Sequence, residues 1–220
     1  MLMGVCGLQI DFKAAQLLNS RLFHDLAGAT SAIGAGIEFI GEPGSEESAI
    51  ALLTQSADRL RRRLDFFRGA FGLGGGKHGG LSVAEAGTLV SGWFADSKSK
   101  LIWPSEETLM QIGNIEASKL KILMILSMSA EECLPRGGEV LVQLTLLAEG
   151  LGLAVSASGP GASPPEGTMQ ALDVRYEPDK LTARNVVIYV AAQLAKAHGA
   201  RVEADALRDQ VDYASLIPSS

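Results

Sequence analysis

The chain has 220 residues, 47% of them apolar, enough for one large hydrophobic core or two small ones. Its formal net charge of −6 argues against nucleic acid as the main partner, because phosphate contacts need a clustered basic surface. The two cysteines, Cys6 and Cys133, lie far apart and outside any CxxC pair, which fits a reducing compartment and points to no metal site.

Met1–Ile10 is apolar but lacks the basic n-region and the h-region length of a secretory signal. Leu18, Leu22, Leu26, Ala29, Ile33, Ile37 and Ile40 then step by three or four residues, one apolar stripe on a helix over about 12–41. Gly41-Glu-Pro-Gly44 breaks it. A second helix follows, with Ser45 or Ser48 as cap and Glu46 and Glu47 at its positive end. There Ile50, Leu53, Ala57, Leu60, Leu64, Phe67 and Phe71 form a heptad seam. Two such helices joined by a tight turn make an antiparallel hairpin, and a hairpin covers its remaining apolar surface most cheaply as a dimeric four-helix bundle. The basic run of Arg59, Arg61, Arg62 and Arg63 reads as a solvated face of the second helix.

Glycine dominates Gly69 to Gly80, which reads as a flexible linker. Its Gly74-x-Gly76-x-x-Gly79 follows a helix rather than a strand, so the dinucleotide-binding context is missing. Beyond it, the sequence predicts a helix over Val83–Phe94, a short strand over Lys100–Trp103 and a long helix over Ile115–Leu134. Paired strands over Glu139–Leu147 and Leu151–Ser158 follow, then a loop over Gly159–Gly167. A helix over Leu181–His198 and a final strand over Arg201–Ala206 complete the chain. The Leu120–Leu126 run carries Lys121 and is too short to cross a bilayer, so a cytoplasmic protein is expected. The fold class expected is α+β, a helical hairpin over 1–76 followed by an α/β sandwich over 77–220.

Three histidines compete for a chemical role. His78 lies in the glycine linker, where nothing fixes its geometry, and His198 reads as a helix-end residue before Gly199. His24 differs. It sits two residues from both Leu22 and Leu26, a rotation of roughly 200°, so it points away from the apolar stripe. Its face holds Ser20, Arg21, Ala27, Gly28, Ser31 and Ala35, small or hydrogen-bonding residues. Gly28 costs about 1 kcal/mol relative to Ala inside a helix, so something other than helix stability favours a bare surface there. An exposed imidazole on a flat surface can attack a phosphoryl group brought by a second protein. Asp25 could hold its tautomer, and Arg21 could neutralise phosphoryl oxygens. An ordinary surface histidine on a helical bundle stays open on spacing alone.

Ser20-Arg-Leu-Phe-His-Asp-Leu-Ala-Gly28 resembles the phosphoacceptor box of dimerising histidine kinases. Together with Phe66-Phe-Arg68 and Pro135-Arg-Gly-Gly138, it looks like the ChpT-type histidine phosphotransferases of alphaproteobacterial cell-cycle relays, over nearly the whole chain. The second domain resembles a histidine-kinase ATP-binding domain without its nucleotide contacts. Ile125, Ser129 and Glu132 fall on the polar positions of the kinase N-box, and Ala157 falls on the adenine-recognising aspartate. Asn185, Val186 and Val187 occupy the region of its last glycine box.

The resemblance implies phosphoryl relay through His24, with Asp25 and Arg21 assisting and Ser20, Ala27, Gly28 and Ser31 docking the partner. It implies a homodimer without a cofactor of its own, and magnesium held by the partner receiver domain. The partners implied are the receiver of a hybrid histidine kinase and CtrA-like and CpdR-like response regulators. Gly28 stands where many bifunctional kinases carry a water-orienting Thr or Asn, which implies transfer without strong phosphatase activity. A non-catalytic dimeric scaffold and an ATP-dependent sensor kinase are the alternatives.

Overall fold

In the computed structural model, residues 10–40, 42–72, 80–173 and 175–219 are described. The Gly74–Gly79 pattern with His78 lies outside these residues, as does Cys6.

Helix α1 spans Phe12–Phe39 and α2 spans Glu46–Phe71. The Asp11 side chain accepts the Lys13 N–H at 2.8 Å and starts α1. Gly44, at φ 84°, makes the turn between the helices. Ser45 stands at the start of α2 but does not cap it. Its hydroxyl donates to the carbonyls of Phe39 and Glu42, so it closes the turn instead. The helices approach closely at Gly36, where a Cβ would lie 2.8 Å from Leu53 Cγ.

The expected seam on α2 divides between two surfaces. Leu53 and Leu60 are half-buried in the hairpin, whereas Phe67 is buried with Phe66 against Trp93 of the same chain. Their ring centroids lie 5.6 and 4.7 Å from that of Trp93. Ile50 and Leu64 stay 59% and 42% exposed. Each half of α2 has a different neighbour, α1 first and the second domain later, so one straight seam cannot serve both. The basic run is not a plain solvated face either. Arg63 is half-buried, its guanidinium 3.5 Å from the centre of the Trp93 ring, and Arg62 donates to Asp96 at 2.7 Å.

The second domain begins with α3 (Val83–Phe94), started by a reciprocal pair of hydrogen bonds between Ser82 and Glu85. Then come β1 (Ser99–Ile102), α4 (Glu106–Ile112), α5 (Ala117–Glu132), β2 (Gly138–Leu147) and β3 (Gly150–Ser158). A short α6 (Thr168–Ala171), a 3-10 turn over Pro178–Lys180, α7 (Val186–Ala197), β4 (Glu203–Leu207) and β5 (Gln210–Pro218) follow. Among the described residues the strands form one sheet in the order β1-β2-β3-β5-β4. β1 runs parallel to β2, and the other neighbours are antiparallel. The fold is α+β.

Arg201–Ala206 is therefore not the last strand. β5 follows it and lies between β3 and β4, and α4 was not expected from the sequence. α7 also begins at Val186 rather than Leu181; ahead of it the Asn185 side chain accepts the Thr182 N–H at 2.8 Å and holds a turn.

Alternate residues of β2, β3 and β5 face inward: Val140, Val142 and Leu144; Leu153, Val155 and Ala157; Val211, Tyr213 and Ile217. They pack on α5, and α5 packs in turn on α7. α5 is buried on every side from Ile122 to Ala130. Its C-terminal end, at Glu132, emerges beside α1. No helix among the described residues is long and apolar enough to cross a membrane.

Candidate functional site

Helix α1 turns the His24 side chain outward, and it is 86% exposed. The next residue is rotated by about 100°, toward the body of the protein, and Asp25 is largely buried. Its Oδ1 lies 3.5 Å from His24 Nδ1, beyond a good hydrogen bond but close enough to favour a proton on that nitrogen. Its Oδ2 accepts the Arg21 Nε–H at 3.0 Å. Arg21 Nη2 in turn donates to Glu132 Oε1 at 2.6 Å. A chain of four groups thus runs from the exposed imidazole to the end of α5.

Arg21 was expected to stand ready for phosphoryl oxygens. The structure pairs it on two sides, with Asp25 one turn along α1 and with Glu132 from the second domain. The first partner is readable from i,i+4 spacing. The second comes from tertiary packing and leaves no such trace.

Glu132 sits at the negative end of α5, largely out of water. Burial pushes its carboxyl up to about 7; Arg21 opposes this, while Asp25 and Glu131 add to it. Burial also disfavours the Arg21 charge, but Glu132, Asp25 and Glu131 outweigh it and raise its pKa. Arg63 supports the cluster from α2. Burial lowers its pKa, and Glu131 and Asp25 counter that. A cleft of about 390 Å³ opens beside Arg21 and Glu132, closed by Pro135, the loop 163–166 and Arg184.

Ser20, Ala27, Gly28 and Ser31 are all exposed around His24. A Cβ at Gly28 would meet nothing within 4 Å, so the surface there is open. His198 caps the end of α7 before Gly199, which adopts φ 70°. Of the positions that fall on kinase nucleotide contacts, Ile125, Ser129 and Ala157 are buried in the core.

A family model for the histidine phosphotransferase C-terminal domain matches residues 83–210, the sandwich that carries Glu132 and the cleft. The chain belongs to the histidine phosphotransferase family. Protein phosphotransferase ChpT of Brucella abortus (strain 2308) is 31% identical over 128 residues, which span 58% of this chain and 59% of that protein. A solved bacterial phosphotransferase structure matches with a TM-score of 0.78 at 23% identity. It covers 94% of this chain and 97% of its own, so the shared fold includes the hairpin.

For this member of the histidine phosphotransferase family, the sequence reading missed two parts of the site, Glu132 as the second partner of Arg21 and Arg63 behind it. One signal was present. Glu131-Glu132 ends a largely buried helix at the end that disfavours acids, which asks for a cationic partner.

Proposed function

We propose that this chain carries a phosphoryl group on His24 between receiver-domain aspartates in a two-component phosphorelay. The observation that carries this is the exposed imidazole of His24, set among small exposed residues with an anchored carboxylate behind it. Asp25 faces Nδ1, so a proton there leaves Nε2 with its lone pair turned outward as the nucleophile. Nε2 attacks the phosphorus of the receiver's aspartyl phosphate. The P–N bond forms as the P–O bond to the aspartate breaks, and the electron pair leaves with that carboxylate. Magnesium in the receiver offsets phosphoryl charge, while this chain positions and orients His24. The phosphohistidine is a high-energy store, so the same geometry serves transfer onward.

Three features support a relay without ATP chemistry of its own. Ile125 and Ala157 offer no polar side chain at their positions, and the Ser129 hydroxyl is buried without a hydrogen-bond partner. On this reading residues 1–76 form the phosphotransfer and dimerisation unit and 77–220 a degenerate kinase-like domain. Gly28 favours transfer over phosphatase activity. The donor is the receiver of a hybrid histidine kinase, and the acceptors are CtrA-like and CpdR-like regulators of the cell cycle, met in the cytoplasm.

A homodimer completes the hairpin. Phe23, Thr30 and Ile37 on α1, and Ile50, Ala57 and Leu64 on α2, recur every seven residues and are all exposed in the single chain. Phe23 and Ile37 are 70% and 60% exposed. Two such lines on adjacent helices are the seam of a four-helix bundle shared by two copies. Incubation with a phosphorylated receiver, without ATP, places acid-labile label on this chain, whereas labelled Mg-ATP alone leaves it unlabelled. Labelling from ATP alone would instead make it a sensor kinase, and none from either a scaffold.

A further inference from the structure

Arg21 lies three residues before His24, so the two are neighbours on the surface of α1. It is held by two carboxylates of different standing. Asp25 shares its helix and its Nε–H, whereas Glu132 reaches Nη2 from another domain. A phosphoryl dianion on His24 Nε2 would add negative charge to a site that already holds the Asp25 carboxylate at the other ring nitrogen, so the site then needs cationic charge that the resting pairing spends on Glu132. Arg63 is poorly placed to supply it, being half-buried on α2 over Trp93.

We propose that Glu132 is a positioning residue that yields Arg21 to the phosphoryl group on His24 and takes a solvent proton in its place. The proposal rests on His24 being the phosphoryl carrier. The exchange balances simply. The hydrogen bond from Arg21 Nη2 to Glu132 Oε1 breaks, one from the same nitrogen to a phosphoryl oxygen forms, and one proton adds to Glu132.

The surroundings of Glu132 favour this proton. Arg21 and Asp25 face it from α1, Arg63 from α2, Glu131 and Cys133 from its own helix and its end, and Tyr213 from β5. Glu166 and Arg184 stand across the cleft. With Arg21 withdrawn, Arg63 and, across the cleft, Arg184 face Glu132 against Asp25, Glu131 and Glu166. Burial already holds the Glu132 carboxyl at about 7, so the proton costs little near neutral pH. By linkage, a proton on Glu132 stabilises phosphohistidine as much as phosphohistidine stabilises that proton.

The test compares the full-length protein with its Glu132→Gln variant, each equilibrated with the same phosphorylated receiver from about pH 6 to about pH 8.5. Glutamine stands in for the protonated carboxyl at every pH. The variant-to-unaltered ratio of phosphohistidine should be near one at the acid end and rise with pH. The limit is about tenfold for each pH unit by which phosphorylation raises the Glu132 pKa. Titration of other groups is common to both proteins and cancels in the ratio. A flat ratio, including a uniform loss as expected if Glu132 only braces the two domains, would overturn the proposal. Infrared difference spectra of the unaltered protein give a second reading that needs no variant. Phosphorylation should add a protonated-carboxyl band near neutral pH, and its absence contradicts the exchange. If the unaltered protein takes no label at all, the phosphoryl-carrier reading itself fails. Label without the pH-dependent ratio sinks only the role of Glu132.

Discussion

Helix α5 buries Leu120 and every residue from Ile122 to Ala130, whereas α1, 28 residues to its 16, fully buries only Ala14, Ala29 and Gly36. α5 is clasped by α2, α3, α7 and the sheet, so its side chains are chosen by packing. α1 rests on α2 and the second domain along one stripe, and the rest of its surface carries little of the fold. That freedom leaves His24, Ala27, Gly28 and Ser31 exposed and little constrained by packing. The two helices meet chemically through Arg21 and Glu132, where a deeply buried helix supplies a carboxylate to a largely exposed one.

Substitutions in the two helices should therefore divide between stability and activity. The largest effect on stability is expected in α5. Leu123→Ala removes a fully buried side chain and should cost about 2–5 kcal/mol, read by denaturant unfolding. A cost under 1 kcal/mol would mean that α5 is not the packed centre described here.

Leu64→Glu addresses the exposed line on α2. It should leave the single-chain fold largely intact, since Leu64 is exposed there, but place an unpaired charge in the proposed seam and shift sedimentation from dimer to monomer. A dimer that survives the change would place the interface elsewhere.

Gly28→Arg is the smallest structural change. No atom would meet its Cβ within 4 Å, and helix propensity should rise. Stability should move by no more than about 0.5 kcal/mol. Transfer from a phosphorylated receiver should slow, because the new side chain stands where the partner must approach. An unchanged rate would remove the Gly28 face from the docking surface.

How far the sequence could be read follows the same division. α3 was legible to the residue because Ser82 and Glu85 announce a reciprocal cap before an apolar run. The outward direction of His24 was legible because helix rotation alone decides it. β5 was not read, although Val211, Tyr213, Ser215 and Ile217 alternate inward along it. Its turn places Asp209 at φ 58°, a position where glycine would have flagged a hairpin. The seam on α2 was read as one surface because periodicity gives the angle of a stripe but not how many neighbours share it. The bond from Arg21 to Glu132 joins residues 111 apart, and only the folded placement of the end of α5 beside α1 brings them together.

The central claim is that His24, and no other histidine, carries the phosphoryl group. The direct measurement is transfer of radiolabelled phosphate from a phosphorylated receiver to the unaltered protein and to its His24→Ala, His78→Ala and His198→Ala variants, with helicity checked by circular dichroism. The account predicts acid-labile label on all but His24→Ala, which should stay folded because its imidazole is exposed. Full labelling of His24→Ala, or loss of label with either of the other two variants, would contradict it.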